Sequence, residues 1–274
     1  MNLEELITNA QLPSSLDIIT KLQQCIASGV SSATDLAQKL QTDAGLTARV
    51  LQIANSAFYG RGSIENVEDA VVLLGENDLI ALIISTEVIK SFKKVPYFDM
   101  NEFWCQNVFT ATSAKIIARR TQADKGRAFT ATLLRKVGQL VLCKSAPEIF
   151  AGILEQQRTS DTLHIHQAEQ STLGYDHAVI SSSLLRKWSI PDTITIPIYY
   201  YLDPAKADSD SQLYAAIIYL ATQHTCEHFG MPVPDWVSED WLTSTLSVSK
   251  DALIAEASSE IQIHYERTLT TILS

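Results

Sequence analysis

Residues 127–144 read Arg-Ala-Phe-Thr-Ala-Thr-Leu-Leu-Arg-Lys-Val-Gly-Gln-Leu-Val-Leu-Cys-Lys. Leu133, Leu134, Val137, Leu140 and Val141 recur at the spacing that lines one face of a helix. The pattern predicts one long, largely buried helix with Arg135 and Lys136 at its middle. Burying two unpaired cations is costly. They must therefore reach water by snorkelling, pair with Glu169 or Asp176, or meet an anion such as phosphate.

The same helical period continues outward in both directions. Pro13 opens a first helix with Leu16, Ile19, Leu22, Cys25 and Ile26 on one face, and Gly29 lies past its end. Ser31 or Ser32 can cap a second carrying Leu36 and Leu40. Asp43 can cap a third with Leu46, Val50, Leu51 and Ile53 inward. Residues 55–62 read as a loop, a short helix ends at Leu74 and Gly75, and residues 78–92 form an apolar helix. Pro96 interrupts the pattern, so the predicted division is a helical subdomain over 1–95 and a second over 96–274. In the second, helices are predicted over 101–120, 147–157, 163–173, 177–188, 194–201 and 212–229, with two more after Pro234. No stretch alternates with period two for long enough to predict a strand. The fold class is all-α.

Composition agrees: 46% of residues are hydrophobic and 19% charged, with only 10 Gly and 8 Pro, which favours few long elements over a turn-rich β fold. A net charge of −10 argues against a broad nucleic-acid surface or an anionic membrane as partner. The start, Met1-Asn2-Leu3-Glu4-Glu5, has no apolar run behind it, and charged residues interrupt every apolar stretch. Cys25, Cys105, Cys143 and Cys226 are scattered without a C-x-x-C pair. These features predict a cytoplasmic protein with reduced thiols.

Several residues invite a functional reading and a plainer one. His224 and His228 share a helix face at a spacing that can chelate zinc, yet the zincin order is absent and no third ligand is evident. His164 and His166, two apart, would not share a helix face, and a solvated segment is the expectation. Tyr199, Tyr200 and Tyr201 read as packed core. Asn55 and Ser56 can terminate a helix, and with Phe58 and Tyr59 they form a candidate docking loop. Residues 32–55 have the cadence of a helix-turn-helix, but the second helix offers mainly Arg49 and Gln52 to bases. Two helices packed at a turn account for it without DNA.

The run from Thr42 to Tyr59 and Gly60 (Thr-Asp-Ala-Gly-Leu-Thr-Ala-Arg-Val-Leu, then Ala54-Asn55-Ser56-Ala57-Phe58) resembles the HDOD domain family. So do Leu12-Pro13, the pattern from Ile64 to Gly75, Phe103-Trp104, residues 128–138, residues 173–177 and Trp188-Ser189-Ile190-Pro191, all in family order. The resemblance implies one HDOD unit over about 12–270, an N-terminal helical bundle plus a degenerate HD-like bundle. HDOD domains resemble the metal-dependent HD and HD-GYP phosphohydrolases. On that likeness the first metal-binding His falls at Gln106, the His-Asp pair at Arg135 and Lys136, and the last His at Tyr201, while His177 is retained. A divalent ion needs carboxylates or neutral imidazoles, whereas Arg and Lys offer only donors and positive charge. The resemblance thus implies a pseudoenzyme without metal or cofactor, acting in bacterial signalling through protein contacts. Implied partners are a kinase, a receiver or a cyclic-di-GMP-turnover protein, or a second copy of the chain. The alternatives are a phosphohydrolase with unusual ligands and a DNA-binding regulator using residues 32–55. Gln106, Arg135, Lys136, His177 and Tyr201 are the candidate cleft.

Overall fold

The computed structural model describes residues 2–9, 33–41, 47, 50, 51, 54, 64–75, 79, 98–160, 162–188 and 190–273. Their regular elements are all helices, with no strand among the described residues, as the period predicts. No described helix is long and apolar enough to cross a membrane. The chain divides into two compact units, residues 1–11 with 93–262, and residues 12–92 with 263–274.

In the smaller unit, α2 (Ala33–Gln41) packs on α3 (Val67–Leu74), following α1 (Leu3–Asn9) in the chain. Leu36, Ala37 and Leu40 are buried, the two leucines as the sequence marks them, and so are Val67, Ala70, Val71 and Leu74 of α3. The Asn66 side chain caps α3 by accepting the Asp69 N–H at 2.7 Å, and Gly75 closes it with φ 79°. Val50 and Ala54 are buried and helical. The predicted helix from Pro13 and most of the predicted helix over 78–92 lie outside the described residues.

The larger unit holds α4 (Met100–Arg120), α5 (Lys125–Leu134), α6 (Val137–Ser145), α7 (Pro147–Arg158), α8 (Ile165–Leu173), α9 (His177–Lys187), α10 (Asp192–Tyr200), α11 (Ser209–Phe229), α12 (Glu239–Leu246) and the start of α13 (Lys250–Leu273). Aspartates cap four of these helices: Asp99, Asp124, Asp176 and Asp208 each accept an N–H of the first turn. A carboxylate there satisfies orphan donors and meets the positive end of the helix dipole. The α4, α5 and α11 helices share a core of Ile117, Ala128, Ile217 and Leu220, closed by Leu242 of α12 and Leu253 of α13. Arg119 and Arg120 at the end of α4 pair with Glu260 and Glu256 of α13.

Two local findings correct the sequence expectation. The α1 helix, absent from the prediction, buries Leu6 and Ile7 and packs on α6 and α9. And the long helix predicted over 127–144 is two helices, broken at Arg135 and Lys136.

In α10, Pro197 lacks the N–H that would bond the Thr193 carbonyl four residues earlier. Arg127 Nε donates to that carbonyl at 2.7 Å, while its guanidinium stacks 3.7 Å from the centre of the Tyr214 ring. One side chain thereby joins α5, α10 and α11.

Candidate functional site

The break between α5 and α6 is built by tertiary contacts. Lys136 adopts φ −101°, ψ 10°, and the Gln139 N–H bonds the Lys136 carbonyl, so the helical ladder restarts one register on. This leaves the Arg135 carbonyl and the Gly138 N–H without helical partners. Ser181 of α9 serves both: its hydroxyl accepts from the Gly138 N–H at 2.8 Å and reaches the Arg135 carbonyl at 2.7 Å. Such a close approach requires glycine at 138. A Cβ there would lie 2.4 Å from the His177 carbonyl oxygen and 2.8 Å from Ile180 Cβ.

The kink drives Arg135 inward, where it is 1% exposed. The expected pairing with Glu169 or Asp176 does not form. Instead Nη1 donates to Asn107 Oδ1 at 2.5 Å and to the Thr132 carbonyl at 2.8 Å, and Nη2 donates to Thr110 Oγ1 at 2.9 Å. The acceptors are held in turn. Asn107 Nδ2 donates to the Leu133 carbonyl, Thr110 donates to the Gln106 carbonyl, and Thr225 of α11 donates to Thr110. Among the described residues Nε of Arg135 has no partner. Every acceptor is neutral, so the charge is hydrogen-bonded without a counter-ion, and burial pushes the guanidinium down to about 10. Lys136 is half-buried and makes no hydrogen bond or ion pair among the described residues. Burial, then the adjacent Arg135 charge, push its ammonium down to about 8.

Glu169 serves His177 instead. Its Oε2 accepts the His177 backbone N–H at 2.8 Å and lies 2.5 Å from Nδ1, while Gln139 Nε2 donates to Oε1 at 3.3 Å. On the far side of the ring, Nε2 lies 2.5 Å from the Tyr201 hydroxyl. The consistent assignment is Nδ1–H donating to the carboxylate and the phenol O–H donating to Nε2. All three groups are almost fully buried, and burial pushes the Tyr201 phenol up. Asp176, also raised by burial, caps α9 through the Ala178 and Val179 N–H groups. Tyr201→Phe leaves Nε2 buried without a donor and is expected to lower stability by about 1–2 kcal/mol, read as a shifted urea midpoint at constant slope.

Gln106 does not join the cluster: its side chain donates to Glu102 at 2.9 Å, and the neighbouring Asn107 faces Arg135. His224 is hydrogen-bonded to Ser113 at 3.2 Å and His228 stacks on Phe109. His164 and His166, expected in a solvated segment, are half-buried and both pack against Trp236, with ring centroids 4.7 Å away in each case. His164 is the N-cap of α8 and lies outside the helical spiral, so the two rings can meet one indole. Burial, with His177 and His164 nearby, pushes the His166 imidazole down to about 3. Among the described residues no three His, Cys, Asp or Glu side chains form a group that could hold a metal ion. The docking-loop candidates Asn55, Ser56, Phe58 and Tyr59 lie outside the described residues, as do residues 32, 42–46, 48, 49, 52, 53 and 55 of the helix-turn-helix candidate.

Comparison with solved structures gives close matches over nearly the whole chain. A candidate phosphohydrolase from Shewanella amazonensis SB2B is 25% identical, with a TM-score of 0.73, over 98% of this chain and 97% of its own. A candidate signal transduction protein from Marinobacter aquaeolei VT8 is 23% identical, with a TM-score of 0.74, over 97% of this chain and 60% of its own. An HDOD domain protein of unknown function from Geobacter sulfurreducens is 22% identical, with a TM-score of 0.71, over 97% and 98%. None of the curated proteins matches. The HDOD domain matches residues 12–204, most of the chain, with the α5–α6 break and the His177 cluster inside it. By this match and its all-helical fold, the chain belongs to the HDOD domain family.

Proposed function

We propose that this chain is a non-catalytic regulatory module that works in bacterial signal transduction by docking to another protein. One observation carries the reading: the position of the HD metal-ligand pair holds Arg135 and Lys136, and Arg135 is fixed there by neutral acceptors from two helices. A divalent ion at that position would meet a buried guanidinium and an ammonium, both of which repel it. His177, the one retained imidazole, spends both ring nitrogens on Glu169 and Tyr201 and has no lone pair to offer. The phosphohydrolase name of the Shewanella relative supplies the competing reading, which these residues disfavour. Kinases, receivers and cyclic-di-GMP-turnover proteins are the partner class.

The test has two arms. Protein purified with and without added manganese is assayed on cyclic di-GMP and on a chromogenic phosphodiester, and no turnover is expected in either state. The tagged chain is then recovered from its native cells, where a stoichiometric signalling protein that also binds the purified chain is expected. Chelator-sensitive hydrolysis would overturn the reading.

A further inference from the structure

We infer that Lys136, backed by the buried Arg135, is a receptor for a small oxyanion of the phosphate type. This rests on the same metal-free reading of the site as the proposed function, but not on any protein partner.

The argument begins with the carboxylates. Glu169 already accepts from the His177 N–H, from Nδ1 and from Gln139. Asp176 caps α9, and Glu102 accepts from Gln106. None bonds Lys136. Among the described residues neither of these consecutive cations forms an ion pair, although the chain carries a net charge of −10. A neutral acceptor network can hold the Arg135 guanidinium, but it leaves the full positive charge in place beneath the turn. Lys136 is half-buried, so part of the residue borders solvent, the side from which an anion would approach. Lys136 is also the N-cap of the nine-residue α6 and makes no side-chain cap bond, so the positive end of that helix dipole adds to the same field. A doubly charged tetrahedral oxyanion matches the two cations in charge.

The pH dependence follows from the groups around the ammonium: Arg135 in the turn, Cys226 on α11, Glu169 on α8 and Glu102 on α4. Burial first and Arg135 next favour the neutral amine, and Cys226, Glu169 and Glu102 oppose them. An anion favours the charged form, so binding takes up a proton and weakens as pH rises through the folded value of about 8.

The experiment is calorimetric titration of the chelator-treated full chain with inorganic phosphate near neutral pH, at ionic strength fixed with chloride. Wild type, Lys136→Met and Lys136→Arg are compared, each checked for native helicity. Saturable millimolar or tighter binding is expected, weakened at least tenfold in Lys136→Met and largely kept in Lys136→Arg. Sulfate, whose charge is constant in this range, is expected to bind roughly tenfold more weakly at about pH 9 than at about pH 7. A nucleoside monophosphate that binds more tightly than phosphate would name a nucleotide as the source of the oxyanion, and equal affinity would name the free ion. No saturable binding, or equal binding by wild type and Lys136→Met, overturns the inference. Either negative result leaves the docking reading intact, whereas metal-dependent hydrolysis removes that reading first.

Discussion

Gly138→Ala is expected to destabilise the larger unit by about 3 kcal/mol, with the urea midpoint falling and the slope unchanged. Local propensity points the other way, since alanine in a helix is favoured over glycine by about 1 kcal/mol. The clash decides the sign. The new Cβ would meet the His177 carbonyl oxygen at 2.4 Å, Ile180 Cβ at 2.8 Å and the Ser181 nitrogen at 3.0 Å. All three belong to the backbone or the Cβ row of α9, so no rotamer change can clear them. The α6 helix must move off α9, which stretches the Gly138–Ser181 bond of 2.8 Å and unseats the hydroxyl from the Arg135 carbonyl. A variant as stable as the native chain would show that α6 and α9 do not approach as closely as described.

That same contact explains why the site was only half legible in the sequence. Period and caps located the bundle: α4, α7 and α11 fall within a few residues of the predicted spans, because each carries its own stripe and its own Asp, Pro or Gly punctuation. The apolar spacing around 133–141 runs straight through the break, however, so nothing local announces it. The partner that stabilises the break, Ser181, lies 46 residues from the carbonyl it meets. Arg135 likewise draws on Asn107 and Thr110, 28 and 25 residues away. Gln106 occupies the position the family likeness suggests, yet one residue on a helix is a rotation of about 100°, and Asn107 is the side chain turned inward. Glu169, expected as a partner for Arg135 or Lys136, is 0% exposed and is held by His177 instead.

The sharpest test of what Arg135 contributes is a pair of substitutions. Arg135→Ala is expected to cost about 3 kcal/mol, combining a cavity with the loss of donors to buried acceptors. Asn107 Oδ1 and the Thr132 carbonyl lose their Nη1 partner, whereas Thr110 keeps its bond from Thr225. Releasing a desolvated charge works in the opposite direction, since burial outweighs the neighbouring Tyr201 and Cys226 and lowers the guanidinium to about 10. Arg135→Met separates the two effects. It restores most of the volume, leaves Asn107 Oδ1 without its donor and the Thr132 carbonyl with only the backbone N–H of residue 135, and removes the charge, so its expected loss is smaller, about 1–2 kcal/mol. A methionine variant more stable than the native chain would mean that the desolvation cost exceeds the three hydrogen bonds. The guanidinium would then be retained against stability, as expected if its charge serves the oxyanion at Lys136 and not the fold. A loss in both variants, with alanine worse, assigns Arg135 to the scaffold first, as the pin that joins α4 to the turn and reaches α11 through Thr110 and Thr225.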